Sequence, residues 1–372
     1  MLVAIALAAA LVLASVGTYE YVQSEFGGTT LVILTYPSLF GGSCGGTPAF
    51  SAVFGTFASA HGIRIDVECP PGTLYSALVN RTGGSSVDLV IGLDEITGPQ
   101  AEAAGLLVPY APSGLADVPA YLVNGTNLAG TGSGASAPGV VPYEYGYLAI
   151  DYNSSFYNAT AGRVAELTFP EVVNNTTWAR GLLIEDPEVD ITGEEFLAWQ
   201  VEYYTHVLDE NWTAFWTEMP RGAPPELDSW GSAFSAFQEG LFPMVVSYTT
   251  DPAYAAATGA AGYYNSTTSW YLGTEYGWRT TYGVGIVEGS RHLALDEEFE
   301  NWLLSRAVQA EIPLNEWEYP ANATVPVPTN LSDYAVPPGP IHALNNDTTP
   351  ASLVAELPGW LATWEGLTSG SG

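Results

Sequence analysis

Side chains able to perform catalysis are few and scattered in this sequence of 372 residues. Its four histidines follow none of the spacings typical of metalloproteases, and no nucleophile elbow, phosphate-binding loop or dinucleotide-binding glycine motif occurs. The adjacent acids Glu194 and Glu195 stand at the predicted start of a helix, where the helix dipole already favours them. The sequence therefore predicts no catalytic residue, no metal site and no cofactor.

Aromatic residues beside turns offer a different chemistry. Tyr36 precedes a proline at a strand end, Trp230 precedes a glycine, Tyr248 and Tyr254 flank a turn, and Trp317 lies just before a Glu-Tyr-Pro segment. Aromatic faces attract cations by about 0.5 to 2 kcal/mol per contact. For any single ring, packing in the core is the simpler explanation. Taken together, rings on the loops of a cleft would suit a flat organic cation.

Cys44 and Cys69 are the two cysteines of the chain. In an exported protein, an isolated pair without CxxC spacing indicates a disulfide rather than a metal or redox site. The alternative is a free Cys44, which is the one nucleophile that an enzyme could use here.

The first third of the chain alternates predicted strands and helices. A β-α-β-α-β order predicts an α/β domain whose ligand site lies at the carboxyl ends of the strands. Tyr36, the glycine-rich loop 41–46 and Asp94 would then lie together. The predicted strands are 30–36, 63–68 and 87–93, and the predicted helices are 48–61 and 74–80.

A second α/β segment follows the loop 125–138, which is rich in Gly, Ser and Ala. The strand 140–152 is long enough to cross from one domain into another. A strand at 284–287 and a helix at 296–309 then resemble the elements of the first domain and are predicted to belong to it. Two lobes joined by more than one strand are predicted. The second segment contains strands at 182–186 and 242–248 and helices at 193–208 and 230–239.

Acidic residues dominate the charge of the chain. The chain has 40 acidic and eight basic residues, its formal net charge is −32, and lysine is absent. This balance excludes nucleic acid as a partner, because binding a polyanion requires clustered Lys and Arg. It is typical of adaptation to salty water, with an ordinary acidic secreted protein as the alternative.

The N-terminal segment and the sequons indicate an exported protein. Residues 1–16 are uncharged and apolar, like the hydrophobic region of an export signal, although a retained N-terminal anchor or a buried first helix also fits. Eleven Asn-x-Ser/Thr sequons favour a glycosylated outer surface. They begin at Asn80, Asn124, Asn153, Asn158, Asn174, Asn175, Asn211, Asn265, Asn322, Asn330 and Asn346.

Four ordered motifs resemble the thiamine-binding proteins of ABC importers. They are Gly92-Leu93-Asp94, VPYEYGYLAIDYN at 141–153, VVSYTTDPAYA at 245–255 and IPLNEWEYP at 312–320. The likeness covers most of 30–328. It implies the two-lobed α/β fold of type II periplasmic binding proteins, with hinge strands and a ligand cleft between the lobes. It also implies an extracytoplasmic, monomeric receptor that delivers thiamine to an ABC permease in the membrane.

This likeness implies a division of the chain into segments. Strands 140–152 and 242–248 would carry the hinge. The export signal or anchor would be 1–28, the first lobe 29–139 and 248–310, the second lobe 140–247, and a C-terminal segment completing the second lobe 311–372.

Positions that match the motifs imply a ligand site. Tyr36 corresponds to the tyrosine that ends the first strand. Asp94 would face the cationic or amino part of the ligand. The aromatic residues expected to sandwich its pyrimidine and thiazolium rings are Trp230, Tyr248, Tyr254 and Trp317.

Departures from the family pattern concern the charge of the ligand. Relatives often have DPRTSSPG or DPRTSTPG where this chain has 186–193. Glu188 replaces the arginine and Asp190 replaces a serine, which places negative charge where a phosphate on the ligand would lie. Asp251 replaces the serine of the SYTTSPAY motif. The likeness therefore implies free thiamine, or a related cation, rather than its phosphate esters.

Other functions stay open at this point. The same fold could serve a receptor for a polyamine or for ferric iron, since Tyr248 and Tyr254 would supply oxygen ligands. A thiamine-degrading enzyme on this fold would need Cys44 as its nucleophile. A structural glycosylated surface protein would bind no ligand at all.

Overall fold

The computed structural model describes residues 28–81, 87–128, 137–154, 166–220 and 222–369. The predicted export segment 1–28, apart from its last residue, and the sequon at Asn158 lie outside these ranges. Among the helices in the described ranges, none has the length and apolar character needed to cross a membrane.

Strands and helices alternate along the described chain. The strands are β1 (Thr30–Thr35), β2 (Arg64–Glu68), β3 (Leu89–Leu93), β4 (Leu107–Val108), β5 (Val141–Asn153), β6 (Leu182–Glu185), β7 (Glu226–Leu227), β8 (Met244–Tyr248), β9 (Tyr264–Thr267), β10 (Ser269–Tyr271), β11 (Thr274–Gly277), β12 (Arg279–Val287), β13 (Tyr319–Pro320) and β14 (His342–Ala343). The α-helices are α1 (Pro48–His61), α2 (Leu74–Val79), α3 (Thr97–Ala103), α4 (Ala120–Gly125), α5 (Phe169–Asn174), α6 (Thr176–Gly181), α7 (Ile191–Glu202), α8 (Thr213–Glu218), α9 (Trp230–Gln238), α10 (Asp251–Ala257), α11 (Leu293–Leu303), α12 (Arg306–Gln309), α13 (Ile312–Asn315), α14 (Thr329–Ser332) and α15 (Pro350–Thr368).

The first lobe is built on the sheet order β2-β1-β3-β12. Strand β1 is parallel to β2 and β3, and β12 is antiparallel to β3. Strands β1 and β3 are almost entirely buried, as expected of parallel strands covered by helices on both faces. Because β1 and β3 end at the same edge, Tyr36 and Asp94 follow them side by side, which confirms the predicted β-α-β-α-β succession and the predicted position of both residues at the carboxyl ends of the strands.

Capping residues determine where helix α1 begins and ends. The hydroxyl of Thr47 accepts a hydrogen bond from the Phe50 N–H at 3.1 Å, and Pro48 occupies the first turn, where a missing N–H is harmless. Gly62 ends the helix in the left-handed conformation at φ 63°. Between these caps, Phe54 and Phe57 pack into the first-lobe core.

Strand β5 belongs to both lobes. Its residues 141–147 pair with β12, and residues 148–152 pair with β8 of the second lobe. Near its start, β13 pairs with Glu144 and Tyr145 on the edge opposite β12. The predicted crossing strand 140–152 is therefore confirmed.

The second lobe continues the sheet through β8, β6 and β7. Strand β6 runs parallel to β8 and β7, and helices α5, α7 and α8 bury an aromatic core against this sheet. Helix α15 returns to this core through Leu353, Leu357, Trp360 and Trp364. The C-terminal helix thus completes the second lobe.

Packing corrects the predicted segment boundaries. Residues 248–278 stay with the second lobe, since β9 pairs with the end of β5 and Tyr264 packs against Val245. Residues 311–321 pack with the first lobe, where Ile312 and Ala321 lie in the core. Strand β8 lies within the second lobe, and the second crossing is at Trp278–Arg279 instead. Neither a motif likeness nor periodicity shows which core an element faces, and this accounts for the errors.

The described sequons differ in accessibility. Asn322 is 2% exposed, and its amide group donates to the Leu304 carbonyl at 3.1 Å. A sugar on Asn322 is incompatible with this burial, so the prediction of glycosylation there is corrected. The remaining described sequons are exposed or half-buried, and their glycosylation stays a prediction.

Cys44 and Cys69 form a disulfide between the glycine-rich loop after β1 and the end of β2. The predicted bridge is confirmed. It also contradicts the alternative in which Cys44 is a free nucleophile, because a bonded sulfur has no thiolate to offer.

Replacing Cys44 and Cys69 together by serine should destabilise the protein. The bridge closes a loop with a sequence separation of 25 residues, and a loop of that size contributes about 3 kcal/mol by restricting the unfolded chain. Urea unfolding of the oxidised protein and the double variant would measure the difference. Equal unfolding free energies would show that this loop is held by its other contacts.

Candidate ligand-binding site

Tyr36 stands at the carboxyl end of β1, on the side of the first lobe where β3 also ends. Its ring lies against Gly92, where an added Cβ would come within 2.4 Å of the ring. Gly92 also has a φ of 107°, which disfavours other residues. Glycine in the Gly-Leu-Asp motif therefore leaves room for the tyrosine ring.

The hydroxyl of Tyr36 is the centre of a cluster of oxygens in which Tyr143 and Glu144 are buried and Tyr36 and Glu316 are half-buried. It lies 2.7 Å from the Tyr143 hydroxyl, 3.1 Å from Glu144 Oε1 and 3.2 Å from Glu316 Oε2. The other oxygen of Glu316 accepts a hydrogen bond from the Phe40 N–H. The glycine-rich loop, strand β5 and the segment after α13 thus meet at one point.

Glu318 extends this cluster toward the second lobe. Its Oε1 accepts from the Thr250 hydroxyl at 3.4 Å, and its Oε2 has no hydrogen-bond partner among the described residues. The carboxylate lies over Gly146 of β5, where a Cβ would stand 2.0 Å from Oε2. Glycine at position 146 is what admits the carboxylate.

Trp317 joins the two lobes beside Glu318. Its ring centroid lies 5.7 Å from that of Tyr254 in helix α10, in an edge-on arrangement. Its backbone has a φ of 61°, a strained value for a residue other than glycine. Both rings are only partly buried, so part of each aromatic surface stays accessible.

Trp230, Tyr248 and Asp251 form a second group on the second lobe. The indole N–H of Trp230 donates to Ser247 Oγ at 2.9 Å, and Asp251 Oδ2 accepts from the Ser247 hydroxyl and from the Tyr248 N–H. The Tyr248 hydroxyl lies 2.8 Å from that of Tyr282 in the first lobe. Asp251 therefore closes its own turn, while Tyr248 bridges the lobes.

Asp190 caps helix α7. Its Oδ1 accepts from the Thr192 N–H at 2.9 Å, and its Oδ2 accepts from the Trp230 N–H at 3.1 Å. A carboxylate thus holds two backbone N–H groups in the position where relatives carry a serine.

Asp94 is fully buried and faces the other lobe. Its Oδ1 accepts from the Ile96 and Thr97 N–H groups and from the Thr97 hydroxyl, while its Oδ2 has no partner among the described residues. The carboxyl of Glu195 from α7 lies beside it. Asp94 therefore stabilises its own turn and contacts a second acid. Its predicted contact with the ligand stays a prediction.

The chain matches the model of a protein family over residues 45–310, more than half of its length. That family is described as bacterial extracellular solute-binding protein. The chain belongs to this family.

Relatives of this solute-binding protein carry names that specify a ligand. The thiamine-binding periplasmic protein of Escherichia coli (strain K12) is 26% identical over 296 residues, which cover 79% of this chain and 80% of the relative. The protein of the same name from Brucella melitensis is 28% identical over 255 residues, with 67% and 68% covered. The chain thus spans most of both relatives.

Solved structures show the fold of this solute-binding protein. A periplasmic thiamin binding protein superimposes with a TM-score of 0.72 at 22% identity, covering 92% of this chain and 98% of that one. Iron-bound HitA from Pseudomonas aeruginosa gives 0.68 at 16% identity, covering 91% and 99%. The two-lobed fold of periplasmic binding proteins, expected from the sequence, is confirmed.

Burial raises the pKa of the acids in this solute-binding protein's cleft. The pKa of Glu144 rises to about 8 because the carboxyl is removed from water. Burial also raises the pKa of Glu316 and of Glu318, and the nearby charge of Glu144 raises both further. The pKa of Asp251 is raised by burial to about 6 although its hydrogen bonds oppose the change. Only some of these groups are ionised at neutral pH.

Sequence reasoning missed several residues of this solute-binding protein's cleft. Tyr143, Glu144, Tyr282 and Glu316 were not singled out, because they lie far apart in the chain and most stand within strands. A signal was present for Glu144, since a carboxylate inside an otherwise apolar strand demands a partner. Nothing in the local sequence around Glu316 indicated that it would reach Tyr36.

Unfolding of the ligand-free protein should require less free energy at pH 8 than at pH 5. Folded-state pKa values of about 6 for Asp251, about 7 for Glu95 and about 8 for Glu144 exceed the ordinary carboxyl values, so the folded state holds more protons than the unfolded chain. The free energy of unfolding therefore falls as these carboxyl groups lose their protons between pH 5 and pH 8. Urea unfolding at constant salt would measure the decline, and Glu144→Gln should flatten it. A rise in stability over this range contradicts the assignment.

Proposed function

We propose that this protein is an extracytoplasmic receptor that captures thiamine in the cleft and delivers it to an ABC permease. The observation that carries the proposal is the contact of Trp317 with Tyr254 across the lobes, beside the three glutamates at the lobe junction. Aromatic faces and carboxylates suit a flat cation, and thiamine is one. The names of the relatives from Escherichia coli and Brucella melitensis support the same ligand.

Binding follows from the two-lobed arrangement. The ligand contacts residues of both lobes and so favours the state in which these lobes are together, in proportion to its greater affinity for that state. Trp230 and Tyr248 would line the second-lobe wall of the cleft, and Tyr36 and Trp317 the first-lobe wall. A permease that recognises the closed shape would then accept the loaded receptor. No chemical step is part of this function, and a monomer suffices for it.

Trp317→Ala should weaken thiamine binding by about five- to thirtyfold. The substitution removes a ring that closes the cleft against Tyr254, and stacking and cation–π contacts of this kind contribute about 1 to 2 kcal/mol. Titration with thiamine, followed by tryptophan fluorescence and calorimetry, would measure the change. Trp302→Phe is the matched control, because Trp302 packs on Phe54 and Phe57 in the first-lobe core. Equal affinities of wild type and Trp317→Ala contradict the proposed cage.

Free thiamine is the form that we expect to bind. At the start of α7, Asp190 already accepts from the Thr192 and Trp230 N–H groups, which a phosphate would otherwise use. A carboxylate about 4 Å from a phosphate costs about 1 kcal/mol in water and more in a closed cleft.

Thiamine should therefore bind at least fivefold more tightly than thiamine monophosphate. Asp190→Asn should reduce this ratio, because asparagine can still cap the helix but carries no charge. Competition titrations with both ligands would give the ratio for each protein. Glu218→Gln, an exposed change at the end of α8, should leave the ratio as it is in the wild type. A wild-type preference for the phosphate ester contradicts the proposal.

The alternatives to a thiamine receptor gain less support. The disulfide of Cys44 removes the nucleophile that the enzyme hypothesis needed. For the iron hypothesis, Tyr248 bonds to Tyr282 whereas the Tyr254 ring packs on Trp317. Within the described residues, no group of three or more His, Cys, Asp or Glu side chains is arranged to hold a metal ion.

A further inference from the structure

Protons are too few for the contacts around Tyr36 if both nearby glutamates are ionised. The Tyr36 hydroxyl makes three contacts of 2.7 to 3.2 Å, to Tyr143, Glu144 and Glu316. Each contact needs one hydrogen, and the two hydroxyl groups supply two. At least one of the two glutamates must therefore hold a proton in this arrangement.

Unsatisfied oxygens lie next to this cluster. Oε2 of Glu144 and Oε2 of Glu318 have no hydrogen-bond partner among the described residues, and their side chains are 1% and 6% exposed. Leaving a buried carboxylate oxygen unpaired is costly. Two such oxygens at the lobe junction indicate a missing donor or a missing positive charge.

The charged groups that act on Glu316 and Glu318 within the described ranges are acids, so they do not supply that positive charge. Glu144 and Asp251 are the charged groups that act on Glu318, and Glu144 and Glu318 act on Glu316. Tyr36 and Tyr143, the other titratable groups facing the cluster, have pKa values raised by burial and stay neutral. Arg279, at the start of β12, pairs with Glu95 and not with a glutamate of the cluster around Tyr36.

We propose that Glu144, Glu316 and Glu318 receive the positive charge of the ligand and that its capture there releases a proton from this cluster. This inference rests on the proposed function and adds the residues that recognise the charge and the proton that leaves on binding. The bound cation takes the place of the proton as the neutralising charge. The three glutamates thereby select cations over neutral ring compounds.

Linkage gives the direction of the pH effect. A cation beside a carboxyl lowers the pKa of that carboxyl, so binding is coupled to loss of its proton. Burial raises the pKa of Glu144 to about 8 in the ligand-free protein, so the proton is present at neutral pH. Affinity for the cation should rise by about tenfold per pH unit from pH 6 to pH 8, for one proton released, and level off above.

Calorimetric titration of the full chain with thiamine tests this exchange. Titrations in phosphate and in Tris, whose ionisation enthalpies differ, count the protons released. We expect about one proton released at pH 7, and fewer in Glu318→Gln and Glu144→Gln. Both variants should bind thiamine at least tenfold more weakly, whereas Glu239→Gln, an exposed change after α9, should bind as the wild type does.

Melting temperatures of the unliganded variants separate recognition from a structural role. Glutamine has the shape of a protonated, neutral glutamate and needs no proton to stay buried, so Glu318→Gln and Glu144→Gln should melt at the wild-type temperature or above it. Weaker binding together with lower melting temperatures would show a structural role and overturn the inference. Tight binding without proton release, or wild-type affinity in both variants, also overturns it and leaves the proposed function standing. Absence of thiamine binding by the wild type contradicts both.

Discussion

Burial of negative charge where the two lobes meet is the constraint on which the cleft depends. Asp94, Glu144, Glu195 and Glu318 are each at least nine-tenths buried there. An unpaired buried carboxylate costs several kcal/mol, so each of these groups needs a proton, a set of N–H donors or a cation. Asp190 and Asp251 use backbone N–H groups, and Glu95 uses Arg279. Among the described residues, no cationic side chain pairs with the cluster around Tyr36, and a cationic ligand would supply the missing charge.

Acidity has different meanings in different parts of the molecule. The formal net charge of −32 arises mostly from acids outside the cleft and bears on solubility. The few acids at the lobe junction act through burial instead, because a low dielectric strengthens their effect on one another and on a ligand. Composition alone excludes nucleic acid, and only the fold shows which carboxylates meet at the lobe junction.

Much of the fold follows from local pattern. The β-branched runs of β1 and β3 and the helical spacing of apolar residues in α1 predict their elements, because both patterns are local properties of the sequence. Parallel strands end at the same edge of a sheet, so the order of β1 and β3 is enough to place Tyr36 near Asp94. Those predictions need no distant contact.

Contacts between distant residues could not be predicted in this way. Glu316 contacts Tyr36 although the two residues are 280 positions apart, and no local pattern in the sequence indicates this contact. The hydroxyl of Tyr248 meets Tyr282 of the other lobe for the same reason. That Asp94 and Asp251 face the ligand stays a prediction, and the fold adds that their oxygens accept hydrogen bonds from their own turns. A carboxylate at a turn favours the nearest N–H, so its role depends on the whole fold around it.

The pairing of β5 also limits how the two lobes can move. The crossing of β5 at Tyr147 and Leu148 lies beside the second crossing at Trp278 and Arg279, and the two segments are hydrogen-bonded to each other. Two paired segments resist sliding past each other, because sliding would break the hydrogen bonds between them, but they bend together out of their plane. Relative motion of the lobes is thereby directed mainly into one bending angle. A membrane partner that responds to this angle would distinguish an occupied cleft from an empty one without touching the ligand.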